Sequence, residues 1–246
     1  MYFCAKKPII FKELITMSTG YNEKQAIFTE RELQVTADGS HTLFVPSMDE
    51  HYHSVNGAVQ ESAHVFIEAG LHQLAKKEIR LLEIGFGTGL NALLTLLDAE
   101  EKEKMVTYYS FELYPLELSL VEKLNYGKII CPAQADLFID LHRAAWNEPV
   151  AITPAFTLHK MEGDSNRSTL PQNIDLVYFD AFAPDKQPEM WNPEIFKKLY
   201  ECMNEGGILT TYCAKGVVRR TMKEAGFSVE RIPGPPGKRE MLRAVK

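Results

Sequence analysis

The chain has 246 residues, 45% of them hydrophobic and 10% aromatic, and a formal net charge of −6. That is ample apolar material for one α/β domain with an extension, while the acidic balance argues against a chain whose whole surface holds a polyanion. No apolar run reaches the ~20 residues that span a bilayer, and Met1–Lys7 lacks the basic start, apolar stretch and small-residue cleavage site of a secretory signal.

The first sixteen residues match no element, and Met17 reads as an alternative start. Gln25–Phe28 and Leu33–Thr36 are predicted as a small hairpin, with Ala37-Asp38-Gly39-Ser40 as a turn and His41–Val45 as another short strand. Residues 59–75 have helical spacing. The α/β alternation begins at Ile79. It continues through a helix near Leu116–Leu124, a strand near Ala155–His159, and the buried strand Ile174–Phe179. A helix with proline in its first turn follows at Pro193–Met203, then a strand at Gly207–Cys213 and a helix over Val217–Ala225 that ends in Gly226. Phe227–Ile232 and Met241–Val245 close the chain as an antiparallel pair. This order predicts a mostly parallel sheet with helices on both faces. The expected division is a poorly defined segment over 1–22, an extension over 23–78 and a Rossmann-like domain over 79–246.

Leu81-Leu82-Glu83-Ile84-Gly85-Phe86-Gly87-Thr88-Gly89-Leu90-Asn91 is the most informative stretch. It reads as a strand, a glycine turn and a helix start, the layout that brings bare backbone against a nucleotide-like ligand. The dinucleotide pattern G-x-G-x-x-G would need glycine where Leu90 stands. Glu83 before the turn would repel a pyrophosphate and suits a cation, so S-adenosylmethionine, with its sulfonium and ammonium groups, fits better. The next predicted strand, Val106–Leu113, carries Glu112 near its end, where a carboxylate accepts hydrogen bonds from both ribose hydroxyls. Asp164 after the third strand is placed for the adenine amino group, although Gly-Asp also occurs in turns for backbone reasons.

The strand Asp175–Phe179 delivers Asp180 to the same sheet edge, followed by a loop with Phe182, Pro184, Pro188 and Trp191. Aromatics there can stack on a planar base, worth about 1–3 kcal/mol each. His51-Tyr52-His53 has no zinc spacing, so no metal is expected. Cys4, Cys131, Cys202 and Cys213 are scattered without a C-x-x-C pair, which suggests reduced thiols in the cytoplasm. Lys215, Arg219, Arg220, Lys223, Arg231, Lys238, Arg239 and Arg243 crowd the C-terminal end, a local positive potential within an acidic chain.

Together these residues resemble a known family. Asn56-Gly57 with Glu61-Ser62, Glu83–Leu90, Phe179-Asp180-Ala181-Phe182-Ala183-Pro184 with Pro188-Glu189-Met190-Trp191, and Val218-Arg219-Arg220 with Lys238-Arg239-Glu240-Met241-Leu242 are similar to the MnmC-type methyltransferases of 5-methylaminomethyl-2-thiouridine synthesis in bacterial tRNA. The resemblance covers roughly residues 25–246. It departs at Ala181, where glycine is frequent in the family. It implies a Rossmann-like class I methyltransferase with a mostly parallel seven-stranded sheet. The implied reaction moves a methyl from S-adenosylmethionine to the primary amine of 5-aminomethyl-2-thiouridine at the tRNA wobble position. The resemblance is to the stand-alone form, expected to lack the flavin oxidase domain of many members, so a separate enzyme is expected to supply the amine.

The expected cofactor contacts are Glu83, Gly85, Phe86, Gly87, Thr88, Gly89, Asn91, Glu112, Asp164 and Asp180, with Asp180 also catalytic. The expected substrate contacts are Glu61, Phe182, Trp191, Lys215, Arg219, Arg220, Lys238 and Arg239, the basic ones toward anticodon stem-loop phosphates. The competing readings are a small-molecule methyltransferase, an NAD-dependent oxidoreductase and a non-catalytic RNA-binding module.

Overall fold

The computed structural model describes residues 30–246. The predicted strand at Gln25–Phe28, the 1–22 segment and Met17 lie outside them. The hairpin that forms joins β1 (Glu32–Val35) to β2 (His41–Val45) in antiparallel register, Val35 opposite His41. Asp38 organises the turn between them. Its carboxylate accepts from Thr36 Oγ1 at 2.7 Å, Ser40 N at 3.0 Å and Gln60 N at 3.1 Å. The last of these fixes the start of α1 (Ala58–Ser62) against the turn. A two-residue strand, β3 (Glu50–His51), completes a three-stranded sheet. The helix expected over 59–75 is interrupted: α1 passes into a π-helical stretch, Ala63–Glu68, and a single 3-10 turn follows at Leu71–Gln73.

The main sheet is assembled from β4 (Glu78–Ile84), β5 (Met105–Glu112), β6 (Pro149–Thr153), β7 (Phe156–Glu162), β8 (Ile174–Phe179), β9 (Met203–Thr211), β10 (Ser228–Pro233) and β11 (Glu240–Val245). Their spatial order is β10-β11-β9-β8-β4-β5-β7-β6. The five strands from β9 to β7 run parallel, and the closing pair β10–β11 is antiparallel as predicted. The sheet has eight strands, not the seven expected. The strand missed is β6, which pairs antiparallel with β7 at the edge. Its sequence, Pro-Val-Ala-Ile-Thr, is only five residues long, opens on proline and keeps no residue fully buried, so its strand signal is weak. Proline is tolerated there because an edge strand has an unpaired side.

Successive residues on a strand face opposite sides. Leu81, Tyr108, Leu158, Leu176 and Tyr178 therefore pack on one face of the sheet, under α2 (Leu90–Glu101) and α5 (Asp136–Arg143). Leu82, Ile84, Val177, Phe179 and Leu209 pack on the other, under α6 (Pro193–Cys202) and α7 (Gly216–Glu224). The helix expected near Leu116–Leu124 is only one turn, α3 (Leu118–Val121), and α4 (Tyr126–Ile130) follows it. The three-stranded sheet is tied to α4: Tyr126 Oη donates to the His41 carbonyl at 2.5 Å, and Asn125 Oδ1 accepts from His41 N at 2.9 Å. No helix among the described residues is long and apolar enough to cross a membrane.

Candidate active site

The chain leaves β4 in one direction for β5 and later returns on its other side as β8, so the strand order reverses at β4. Open α/β sheets bind ligands at the carboxyl ends of the strands at such a point. A cavity of about 340 Å³ lies there, within the range of small-molecule sites (~300–1,000 Å³).

The glycine turn forms its floor. Gly85, Gly87 and Gly89 all have positive φ, a conformation that side chains disfavour. At Gly85 the reason is also spatial: a Cβ would come within 2.7 Å of the Asp180 carbonyl oxygen. Gly89 caps α2 from behind the wall, whereas Gly85, Phe86, Gly87, Thr88 and Asn91 line the cavity. Glu112 lies at the end of β5, where its Oε2 accepts from Gly87 N at 2.8 Å and its Oε1 from Tyr114 N at 2.8 Å. Each carboxylate oxygen keeps a second lone pair for a ligand, the chemistry a ribose diol needs. Gly163, Asp164 and Ser165 line the same end, with Met190 opposite.

Asp180 faces the other end. Its Oδ2 accepts from Asn91 Nδ2 at 2.8 Å, and the same amide reaches Glu83 Oε1 at 3.1 Å. Burial pushes the Asp180 carboxyl up to about 7; the Asn91 amide and Lys238 pull it down, and Glu61 pushes it further up. Glu83 differs from its expected place. It is fully buried beneath Asn91, off the cavity wall, with Ser110 Oγ donating to it at 2.7 Å. Burial pushes it up to about 8. It touches Asn91 rather than the cavity, because the strand turns its side chain into the sheet–helix interface.

Glu61 and Lys238, far apart in sequence, meet at this end. Lys238 Nζ donates to Glu61 Oε1 at 2.6 Å and sits 4.1 Å from the Tyr212 ring centre. Tyr212 Oη in turn donates to the Ala181 carbonyl at 2.9 Å. Phe182 lines the mouth, edge-on to Tyr52 at 5.0 Å. Trp191 does not line the cavity, contrary to the expectation. It is buried on Phe179, and its indole N–H donates to the Phe182 carbonyl at 2.8 Å. Lys215, Arg219, Arg220 and Arg239 lie outside the cavity; Lys215 pairs with Asp185, and Arg220 and Arg239 are exposed.

Three histidines and a tyrosine complete the surroundings of the site; of these, the sequence offered His51-Tyr52-His53 for loop packing or substrate contact and missed His142. Tyr52 and His53 reach the cavity from the three-stranded sheet, and His53 Nε2 lies 2.6 Å from Thr88 Oγ1. His51 also lines the cavity and meets Gln34 at 3.0 Å. His142 on α5 donates from Nε2 to the Thr88 carbonyl at 3.0 Å and stacks edge-on to Phe86. Burial holds both His53 and His142 down to about 4, so both rings are neutral. Nothing local in the sequence links these histidines to the glycine turn.

A cavity at the β4 switch point, built on a three-glycine turn and closed by an acidic residue on the next strand, defines a class I S-adenosylmethionine-dependent methyltransferase. A family model described as an S-adenosyl-L-methionine-dependent methyltransferase matches residues 148–246. Within that class the chain resembles the MnmC type. The tRNA 5-methylaminomethyl-2-thiouridine biosynthesis bifunctional protein MnmC of Ralstonia nicotianae is 33% identical over 86% of this chain and 34% of its own length. The protein of the same name from Burkholderia thailandensis is 31% identical over 82% of this chain and 33% of its own length. The chain thus spans about a third of the curated relatives it matches. Among solved structures, MNMC2 from Aquifex aeolicus has a TM-score of 0.74 at 26% identity, covering 94% of this chain and 78% of that one. Spermidine synthase from Thermotoga maritima shares the fold alone, with a TM-score of 0.54 at 12% identity over 87% of this chain and 68% of that one.

Proposed function

We propose that the protein methylates the primary amine of 5-aminomethyl-2-thiouridine at the wobble position of tRNA, giving 5-methylaminomethyl-2-thiouridine. The observation that carries this reading is the buried Asp180 carboxyl at the end of β8, facing the cavity beside Glu61. An amine acceptor needs such a group, and the names of the curated relatives supply the amine.

S-adenosylmethionine supplies an electrophilic methyl group on a sulfonium. Glu112 would hold the ribose, Asp164 the adenine edge, and Gly85 to Thr88 the close backbone approach. The first amides of α2 lack helical acceptors and suit the methionine carboxylate. Asp180 and Asn91 would define the reacting end. The nucleophile is the neutral amine, and a carboxylate beside it favours the charged form. Asp180 is therefore not simply the base. It accepts an N–H hydrogen bond, aims the nitrogen lone pair, and stabilises the positive charge that grows on nitrogen. The proton then leaves to solvent. Lys238 neutralises Glu61, which leaves Asp180 as the cavity's responsive charge at this end.

Phe182 and Tyr52 at the mouth would flank the extruded base. Lys215, Arg219, Arg220 and Arg239 would contact anticodon stem-loop phosphates. The test combines purified protein, labelled S-adenosylmethionine and tRNA that carries the 5-aminomethyl wobble uridine, followed by nucleoside mass spectrometry. Methylaminomethyl nucleoside supports the reading. Cofactor binding with no methyl on tRNA redirects it to a small-molecule amine.

A further inference from the structure

The loop after β7 bends tightly. The Asp164 carbonyl accepts from Arg167 N at 3.0 Å and from Ser168 N and Oγ at 2.9 Å each, and Asp164 Oδ1 accepts from Asn166 N at 2.9 Å. This turn aims three main-chain carbonyls at one point, and the ammonium of Lys198 fills it. Its Nζ donates to Ser165 O at 2.9 Å, Asn166 O at 2.9 Å and Ser168 O at 2.7 Å. An ammonium has three hydrogens, and each has a carbonyl here. Lys198 comes from the middle of α6, outside the cavity, and α6 is itself anchored by Asn192, whose Oδ1 accepts from Ile195 N at 2.9 Å.

The same turn is tied to the opposite wall. Asn166 Nδ2 reaches Glu189 O and Met190 Sδ, both at 3.2 Å, and Asn192 Nδ2 donates to Asn166 Oδ1 at 3.1 Å. Asp164 and Ser165 on one side and Met190 on the other line the end of the cavity that Glu112 also borders.

We propose that Lys198 is the positioning residue for the nucleoside end of the cavity. Its ammonium holds the 163–168 turn closed, and through Asn166 it sets the spacing between Asp164 and Met190. Three converging carbonyl dipoles repel one another without a cation among them, so removal of the charge opens the turn. The inference rests on the nucleoside of S-adenosylmethionine lying at this end, and does not depend on the methyl acceptor.

The test is calorimetric titration of S-adenosylhomocysteine and of methylthioadenosine, which lacks the amino-acid end. Lys198→Met keeps the stem and removes the charge. We expect both ligands to bind about tenfold more weakly, the scale of a lost charged hydrogen-bond set, with turnover at saturating cofactor little changed. Lys198→Arg, which also donates to several carbonyls, should recover most of the affinity. Unchanged affinity in folded Lys198→Met, or a loss seen with S-adenosylhomocysteine and absent with methylthioadenosine, overturns the proposal. If Lys198→Met does not melt cooperatively, Asn166→Ala decides, since it spares the carbonyls and cuts the side-chain ties to Glu189, Met190 and Asn192. Weaker binding of both ligands supports the proposal and unchanged binding overturns it. Wild-type protein that binds neither ligand overturns the placement of the cofactor itself.

Discussion

One amide group, Asn91 Nδ2, bridges two carboxyls: Asp180 at 2.8 Å and Glu83 at 3.1 Å. Asp180 faces the cavity and Glu83 does not. Burial raises both carboxyls, and the Asp180 charge further raises the cost of ionising Glu83. Burial therefore holds Asp180 near the point where its charge responds to a cationic ligand.

Asp180→Ala should lower turnover by about 10²–10³-fold, the range of a lost charge-stabilising contact, with a smaller loss of cofactor affinity. In wild type, kcat/KM for the amine should fall below about pH 7, where burial places the Asp180 carboxyl in the free protein. Steady-state kinetics at saturating cofactor measure both. Full turnover in the Ala variant removes Asp180 from the reaction.

Stability should also depend on pH, with a sign that can be worked out. Asp180 and Glu83 are raised from 3.8 and 4.5 to about 7 and about 8, so above their unfolded values the folded state holds protons the unfolded chain has lost. Their stabilisation drains away as pH rises through the folded values. His53 and His142 are lowered from 6.5 to about 4 and act oppositely, adding stability as pH rises toward 6.5. Below pH 6.5 the two effects oppose each other; above pH 6.5 the carboxyls dominate and Tm should decline, until near pH 8 the buried Lys160, lowered to about 8, begins to offset them. Glu83→Gln should flatten that decline. An equal slope in the variant would refute the assignment.

Gly85→Ala should abolish cofactor binding. Its φ of +93° is strained for any side chain, and the new methyl would meet the Asp180 carbonyl at 2.7 Å. The steric penalty of a positive φ is only about 1–2 kcal/mol, so the protein should still fold. Circular dichroism together with cofactor titration separates the two outcomes, and retained binding contradicts the close approach.

Trp191→Ala should destabilise the fold by about 3–5 kcal/mol through the cavity left on Phe179. It should also free Phe182, whose carbonyl loses the indole N–H at 2.8 Å. Trp191→Phe restores the packing without the hydrogen bond. Chemical denaturation reads the first effect, and KM for the methyl acceptor reads the second.

Arg220→Ala and Arg239→Ala should each weaken tRNA binding across sequences. Each should reduce the slope of log K against log salt by about one per lost phosphate contact. Binding with no salt dependence argues against a phosphate-tracking surface.

The parallel sheet, the glycine turn and the closing hairpin were legible because their signals are local. Leu81–Ile84 and Ile174–Phe179 are apolar runs bounded by turn residues, and three glycines at alternate positions fit only a turn with positive φ. Glu112 and Asp180 could be placed at the ligand edge because strand ends in a parallel sheet share that edge. The edge strand β6 could not be found, since it buries no residue fully. Tertiary structure alone decided which side chains meet. Glu61 joins Lys238, His53 joins Thr88, and Lys198 joins the 163–168 turn, all across long stretches of chain. Nor could sequence show that Glu83 turns inward and Trp191 supports Phe182 from behind. A residue's type and its place on a strand follow from periodicity; its partner depends on where distant elements pack, which no local pattern encodes.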